Sequence, residues 1–223
     1  MVTGAHTAMP TDRDVLTLTQ WLSPAFPVGA FAYSHGLEWA VESGAVTDAA
    51  STGEWIEEVL RHGAGWNDGL FLAAAYQAQT DACLHNVDAQ NRAFAASRER
   101  LTEADLQGAA FCNVTSAIWA VDLYGLTYPV ALGQAARRQN LPLLLTTQMY
   151  LHSFAGNLVG AAMRLVPLGQ TKGQGLIHRL TGVAADVATS AVTGTLSDLS
   201  STAFLPDIAS MKHETQYSRM FRT

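Results

Sequence analysis

Cysteine is scarce, charge is sparse and long apolar runs are missing, and each shortage removes a class of function. Cys83 and Cys112 are the two cysteines of the chain. They form no CxxC pair, which excludes a disulfide scaffold and a zinc finger and reads instead as two buried free thiols. Lys and Arg number 13 against 19 Asp and Glu, a formal charge of −6, so no overall positive field gathers phosphates and no nucleic-acid partner is expected. No segment approaches the roughly 18 uninterrupted apolar residues of a membrane span. The opening MVTGAHTAMP lacks the basic and apolar regions of a secretory leader, so a cytoplasmic protein without membrane contact is expected. What the chain does have is apolar bulk: 48% of its 223 residues are hydrophobic, enough for one sizeable core.

Apolar residues recur at spacings of three and four, Ala is abundant and alternating runs are rare. This predicts an all-α fold, a single compact helical bundle of roughly eight to ten helices with an extended C-terminal tail. The reading divides the chain into a flexible N-terminus (1–10), a helical domain (11–199) and a tail (200–223). Thr11 or Asp12 caps the first helix, and Pro24 and Pro27 in SPAFPVGA turn the following stretch into a loop. A second helix is expected over 31–43, ending at Gly44. Ser51 with Glu54 fits a capping box, and Asn67 can cap the next helix. Further helices are expected over 68–82, 88–101 and from Thr102 or Asp105 toward Gly125. Pro129 and Pro142 open two more, and the last runs over 170–197. After it the periodicity fades through LSSTAFLPDIAS, which allows a short helical turn at most.

Most short motifs fail on inspection. HETQY (213–217) lacks the second imidazole of the zinc-binding HExxH, because Tyr217 stands in its place. GQTKGQG (169–175) lacks the spacing of a phosphate-binding loop, and Ser34 beside His35 is no nucleophile elbow. No paired carboxylates stand out as acid and base, so an enzyme is not expected. On the second helix His35, Glu38, Trp39 and Glu42 fall at i, i+3, i+4 and i+7. That face is open to three readings: a solvated surface, a partner surface, or a metal site with His35, Glu38 and Glu42 as ligands. The last would make the protein a helical metal-storage or metal-sensing protein. Gly156 and Gly160 give another helix a small-residue face suited to close packing or a dimer seam.

The ending HETQYSRMFRT is the strongest anomaly, because Tyr217, Met220 and Phe221 alternate with Arg219 and Arg222 where most chains fray. Aromatic residues and arginine are the types enriched at interface hot spots. The tail either docks on a partner or folds back on its own domain. On the first alternative Phe221 serves complex formation and adds little to the stability of the free chain.

Three blocks resemble the UreF-type urease accessory proteins: LSPAFPVGAFAYSHGLEWAVESGAV (22–46), GNLVGAAMRLVPLGQTKGQGLIHRL (156–180) and the ending itself. The resemblance implies an all-helical homodimer without a catalytic centre, which joins the accessory protein UreD (UreH) and recruits the GTPase UreG so that nickel reaches apo-urease. It implies no permanently bound cofactor, with nickel passing through the complex. It also implies partner-binding roles for His213, Glu214, Tyr217, Ser218, Arg219, Met220, Phe221 and Arg222 in the tail. Arg164 would stand on the GTPase-facing surface, and Arg98 and Glu99 in SRERLTEADLQGAAF match a further family pattern. Leu101 replaces a common Arg there, a role that can pass to Arg100. The polar face of His35, Glu38 and Glu42 would flank the metal's path.

Overall fold

A central helix organises the molecule, and its sequence says why. In GWNDGLFLAAAYQ the run Leu70, Phe71, Leu72 and Ala73 is buried on every side, as expected of a helix enclosed by others rather than one showing a face to water. The computed structural model describes residues 9–222. All but the last two residues of the expected flexible N-terminus, His6 included, lie outside the described residues.

Ten α-helices occur among the described residues: α1 (Asp12–Trp21), α2 (Leu37–Glu42), α3 (Ala49–His62), α4 (Ala64–Gln77), α5 (Asp81–Phe94), α6 (Arg98–Trp119), α7 (Tyr128–Arg138), α8 (Leu143–Leu165), α9 (Gln170–Ala191) and α10 (Phe204–His213). Short 3₁₀ turns stand at Ala30–Ala32 and Leu196–Asp198, and no strand occurs among the described residues. The central helix, α4, touches α3, α5, α7, α8 and α9. Against α7 the approach is close enough that a Cβ on Gly133 would lie 2.2 Å from the Leu72 carbonyl oxygen, so only glycine fits. None of the described helices is long and apolar enough to cross a membrane.

Several expected boundaries move, each for a local reason. Asp48, rather than Ser51, caps α3; Ser51 answers as the reciprocal partner of the capping box. Asn67 caps nothing and instead bonds the backbone of Ser200 through both ends of its amide. The helix expected over 68–82 stops at Gln77, because Thr80 caps α5 by accepting from the Cys83 amide. Ser97 caps α6, and Thr102 lies inside it, its hydroxyl donating back to the Arg98 carbonyl, so the break expected at 101–102 falls at 95–97 instead. Of the two thiols, Cys112 is buried but Cys83 is exposed.

Two differences bear on function. His35 and Gly36 take left-handed backbone angles, φ 54° and 75°, so no helix runs through 31–43 and α2 is only six residues long. The stretch expected to hold one short turn forms α10, with Pro206 tolerated in its first turn, where a backbone N–H has no intrahelical partner. Helix α10 lies across α2, and the tail turns back along it rather than extending away.

Candidate functional site

The tail ends in a clasp built around one carboxylate. Glu38, buried in α2, accepts hydrogen bonds from the Met220 amide (2.6 Å) and the Phe221 amide (2.9 Å), one on each oxygen. His213 at the end of α10 is fully buried, with Nε2 3.2 Å from Glu38 and Nδ1 2.7 Å from Glu99. Arg219 donates to the other oxygen of Glu99 at 2.7 Å, and the Arg98 amide donates to Glu214 at 2.8 Å. The Arg222 amide reaches the Ala32 carbonyl at 2.8 Å, and Gln216 bonds Glu42. Phe221 is 4% exposed and joins the main core, with the Arg164 guanidinium 4.2 Å above its ring while also donating to the Phe31 carbonyl.

This arrangement corrects the expectation that Phe221 adds little to the free chain. A buried aromatic ring under a guanidinium belongs to the domain that buries it. In the tail Tyr217 and Met220 remain exposed, as do Ser218, Arg219 and Arg222. The outer face of α10 adds an exposed apolar strip of Phe204, Leu205, Ile208 and Met211. Lys212 and Arg98 are exposed as well.

His35, Glu38 and Glu42 do not converge, which corrects their reading as one face. The left-handed turn at His35 sends its ring inward, edge-on to Phe154, while Glu38 faces the tail and Glu42 holds Gln216. Trp39 is half-buried against the core. Among the described residues no three His, Cys, Asp or Glu side chains form a group able to hold a metal ion. Even His213 with its two glutamates presents opposite ring nitrogens to them rather than a shared centre.

His35 instead enters a buried charged cluster that the sequence did not reveal. Its Nε2 lies 3.0 Å from both Arg100 and Glu103, which also bond each other across one turn of α6. Gln107 donates to Glu103 at 2.8 Å, and Tyr150 from α8 donates to Asp68 of α4 at 2.7 Å, with Arg100 3.9 Å away. Two cavities of about 60 Å³ each flank the cluster, and His35, Asp68 and Arg100 line both. Each has room for a few water molecules. Burial pushes the Asp68 carboxyl up to about 6 against the pull of Arg100 and Tyr150. Burial would also raise Glu103, but Arg100 and His35 outweigh it and hold the carboxyl at about 2. Burial, followed by Arg100, lowers the His35 imidazole, favouring its neutral form.

The Asp68 shift makes a stability claim. A carboxyl raised in the folded state costs stability once the pH exceeds its unfolded value of 3.8, and the cost is complete above about 6. Asp68→Asn keeps an acceptor for Tyr150 and removes that cost. Thermal melts across pH should therefore show the variant more stable than the parent by about 1–2 kcal/mol at pH 8 and equal to it near pH 4. A difference independent of pH would mean that Asp68 is not the titrating group.

On another face, α1, α8 and α9 border an open, mostly apolar groove of about 760 Å³ lined by Leu22, Leu145, Met149, Gly156 and Ile177. Gly156 and Gly160 have open space where a Cβ would stand, so their small-residue stripe is surface rather than core.

Residues 46–181 match the protein family described as UreF. Across nearly the full length the chain is similar to the urease accessory protein UreF of Ruegeria pomeroyi, 59% identical over 97% of this chain and 100% of that protein. The same-named protein of Roseobacter denitrificans is 53% identical over 96% of each chain. That of Bradyrhizobium diazoefficiens is 43% identical over 92% of this chain and 90% of its own.

Proposed function

The chain belongs to the UreF family of urease accessory proteins, and from that premise we propose that it acts as a scaffold in urease maturation, joining a UreD-type accessory protein to a UreG-type GTPase for GTP-dependent nickel insertion into apo-urease. The observation that carries this reading is the apolar strip formed by the outer face of α10 with Tyr217 and Met220. This many exposed apolar side chains, accompanied by exposed cations, are costly in a free protein and fit a protein partner with apolar and acidic groups. The UreD-type protein is its occupant on this reading. Tyr217, Ser218, Arg219, Met220 and Arg222 touch it, while His213, Glu214, Phe221 and Glu99 shape the surface from behind.

Arg164 is the basic residue of the GTPase-facing surface, sharing its guanidinium with Phe221 and Phe31. The groove of α1, α8 and α9 receives a second copy of this chain, because the open Gly156 in its lining lets another helix approach closely. Nickel is cargo in this scheme and no resident cofactor is needed. Among interior groups, His35 and Glu103 stand beside one of the cavities, which such an ion could enter.

The test is co-purification with the cognate UreD-type and UreG-type proteins. Leu205→Glu combined with Met211→Glu alters only exposed positions. It should leave the melting temperature within about 2 °C of the parent, since surface changes usually stay within about 0.5 kcal/mol. UreD-type capture should fall at least tenfold, and the parent assembly should contain two copies of this chain. Unchanged capture would move the interface off α10.

A further inference from the structure

We propose that Glu38 is the positioning residue that sets which tail side chains face a partner and which face the core. The inference rests on the scaffold reading above and assigns a role that the apolar strip alone does not require.

The tail beyond α10 has little to hold its own shape. Of its backbone amides, Thr215 and Gln216 close a turn on the helix end and Arg222 reaches Ala32. Between them, the consecutive amides of Met220 and Phe221 both end on the Glu38 carboxylate. Successive N–H groups converging on one anion define the local backbone direction, and charge-assisted bonds of this kind are the stronger ones. The two residues held in this way have opposite fates: Met220 is 61% exposed and Phe221 4%. A slip of one residue would send Met220 inward and Phe221 out, exchanging core and surface. Glu38 therefore determines the register in which Tyr217 and Met220 are displayed.

Glu38 is itself held in place. Its backbone amide donates to the Ser34 hydroxyl at 3.3 Å, and His213 braces one of its carboxylate oxygens at 3.2 Å. Gly36 lets α10 approach: a Cβ there would lie 2.5 Å from the Ser210 amide nitrogen and 2.8 Å from the Ala209 carbonyl carbon, at a φ of 75° that already disfavours side chains. Ser97 from α6 closes the same seam through a 2.6 Å bond between its hydroxyl and that of Ser210. The SHGLE segment thus reads as a tail-seating device. Ser34 anchors, Gly36 admits α10 and Glu38 receives the chain end. The partner it serves is a protein surface with an apolar pocket for Met220 and Tyr217 and acidic groups opposite Lys212 and Arg222.

Amide hydrogen exchange on the full-length chain tests this without any partner. Glu38→Gln leaves one acceptor oxygen and places an N–H₂ against the second amide. Exchange at Met220 and Phe221 should quicken at least tenfold while core amides of α7 stay at parental rates. Met220→Pro, which deletes one of the two N–H donors and leaves Glu38 intact, should release the Phe221 amide in the same way, guarding against a folding defect in the first variant. Affinity for the UreD-type protein should fall at least tenfold with Glu38→Gln. Unchanged exchange in both variants overturns the proposal whatever the partner does, and so does accelerated exchange with undiminished affinity. If instead Tyr217→Ala with Met220→Ala binds like the parent, it is the scaffold interface that fails, and the exchange data still judge the clasp.

Discussion

Replacing Arg100 by alanine is expected to destabilise the protein by about 4 kcal/mol, among the largest effects open to a single substitution here. Arg100 is the cation against two buried carboxylates, Glu103 bonded to it and Asp68 3.9 Å away. Its own guanidinium is held above its ordinary value by Glu103 and Asp68, which together outweigh its burial. Removing it strands negative charge in a low-dielectric interior, with the largely neutral His35 and an amide from Gln107 left to compensate. The deficit has a signature in pH. In the variant the Glu103 carboxyl loses the attraction that keeps it near 2 and burial lifts it, so protonation relieves the cost as pH falls. Denaturant unfolding should show the full loss at pH 7 and a smaller one below pH 5. Arg100→Met with Glu103→Leu, which removes both charges and fills the space, should recover much of the loss, since well-packed apolar replacements of buried pairs are often neutral or stabilising. A double variant as weak as the single one would place the weight on packing by the Arg100 side chain.

Phe221→Ala should cost about 3 kcal/mol of stability in the free chain and lower its melting temperature by roughly 6–12 °C. The ring is in the main core, two residues from the end of the chain, and Arg164 lies over it. Truncation removes the buried area, opens a cavity and leaves Arg164 with only the Phe31 carbonyl. It also removes the apolar weight that holds the Met220 and Phe221 amides on Glu38, so partner capture should weaken as a consequence. A melting temperature within 1 °C of the parent would return Phe221 to the role read from the sequence alone, that of a partner contact.

The contrast between Phe221 and Tyr217 shows where sequence reasoning stops. Both are aromatic residues in the same irregular ending, and composition marks the segment as anomalous without saying which ring is buried. That depends on the direction of a backbone without repeating dihedrals, which here is decided by Glu38, 183 positions away along the chain. The same limit applies to His35. Its spacing from Glu38 and Glu42 describes one helix face only if the segment is helical, and the left-handed angles at His35 and Gly36 break that condition. Arg100 and Glu103 lie one turn apart on α6, but the helix boundary expected between them hid the pair, and nothing local tells a solvated pair from one enclosed with Asp68 and Tyr150.

The sequence by itself determined the all-helical class, a first cap at Thr11 or Asp12, the helix-opening prolines at 129 and 142, and membership of the UreF family, because each follows from periodicity, capping chemistry or near full-length similarity. Only the tertiary structure decided the clasp, the buried charge cluster and the exposed strip on α10. Each of these is a matter of burial and direction, set by contacts between segments far apart in the chain.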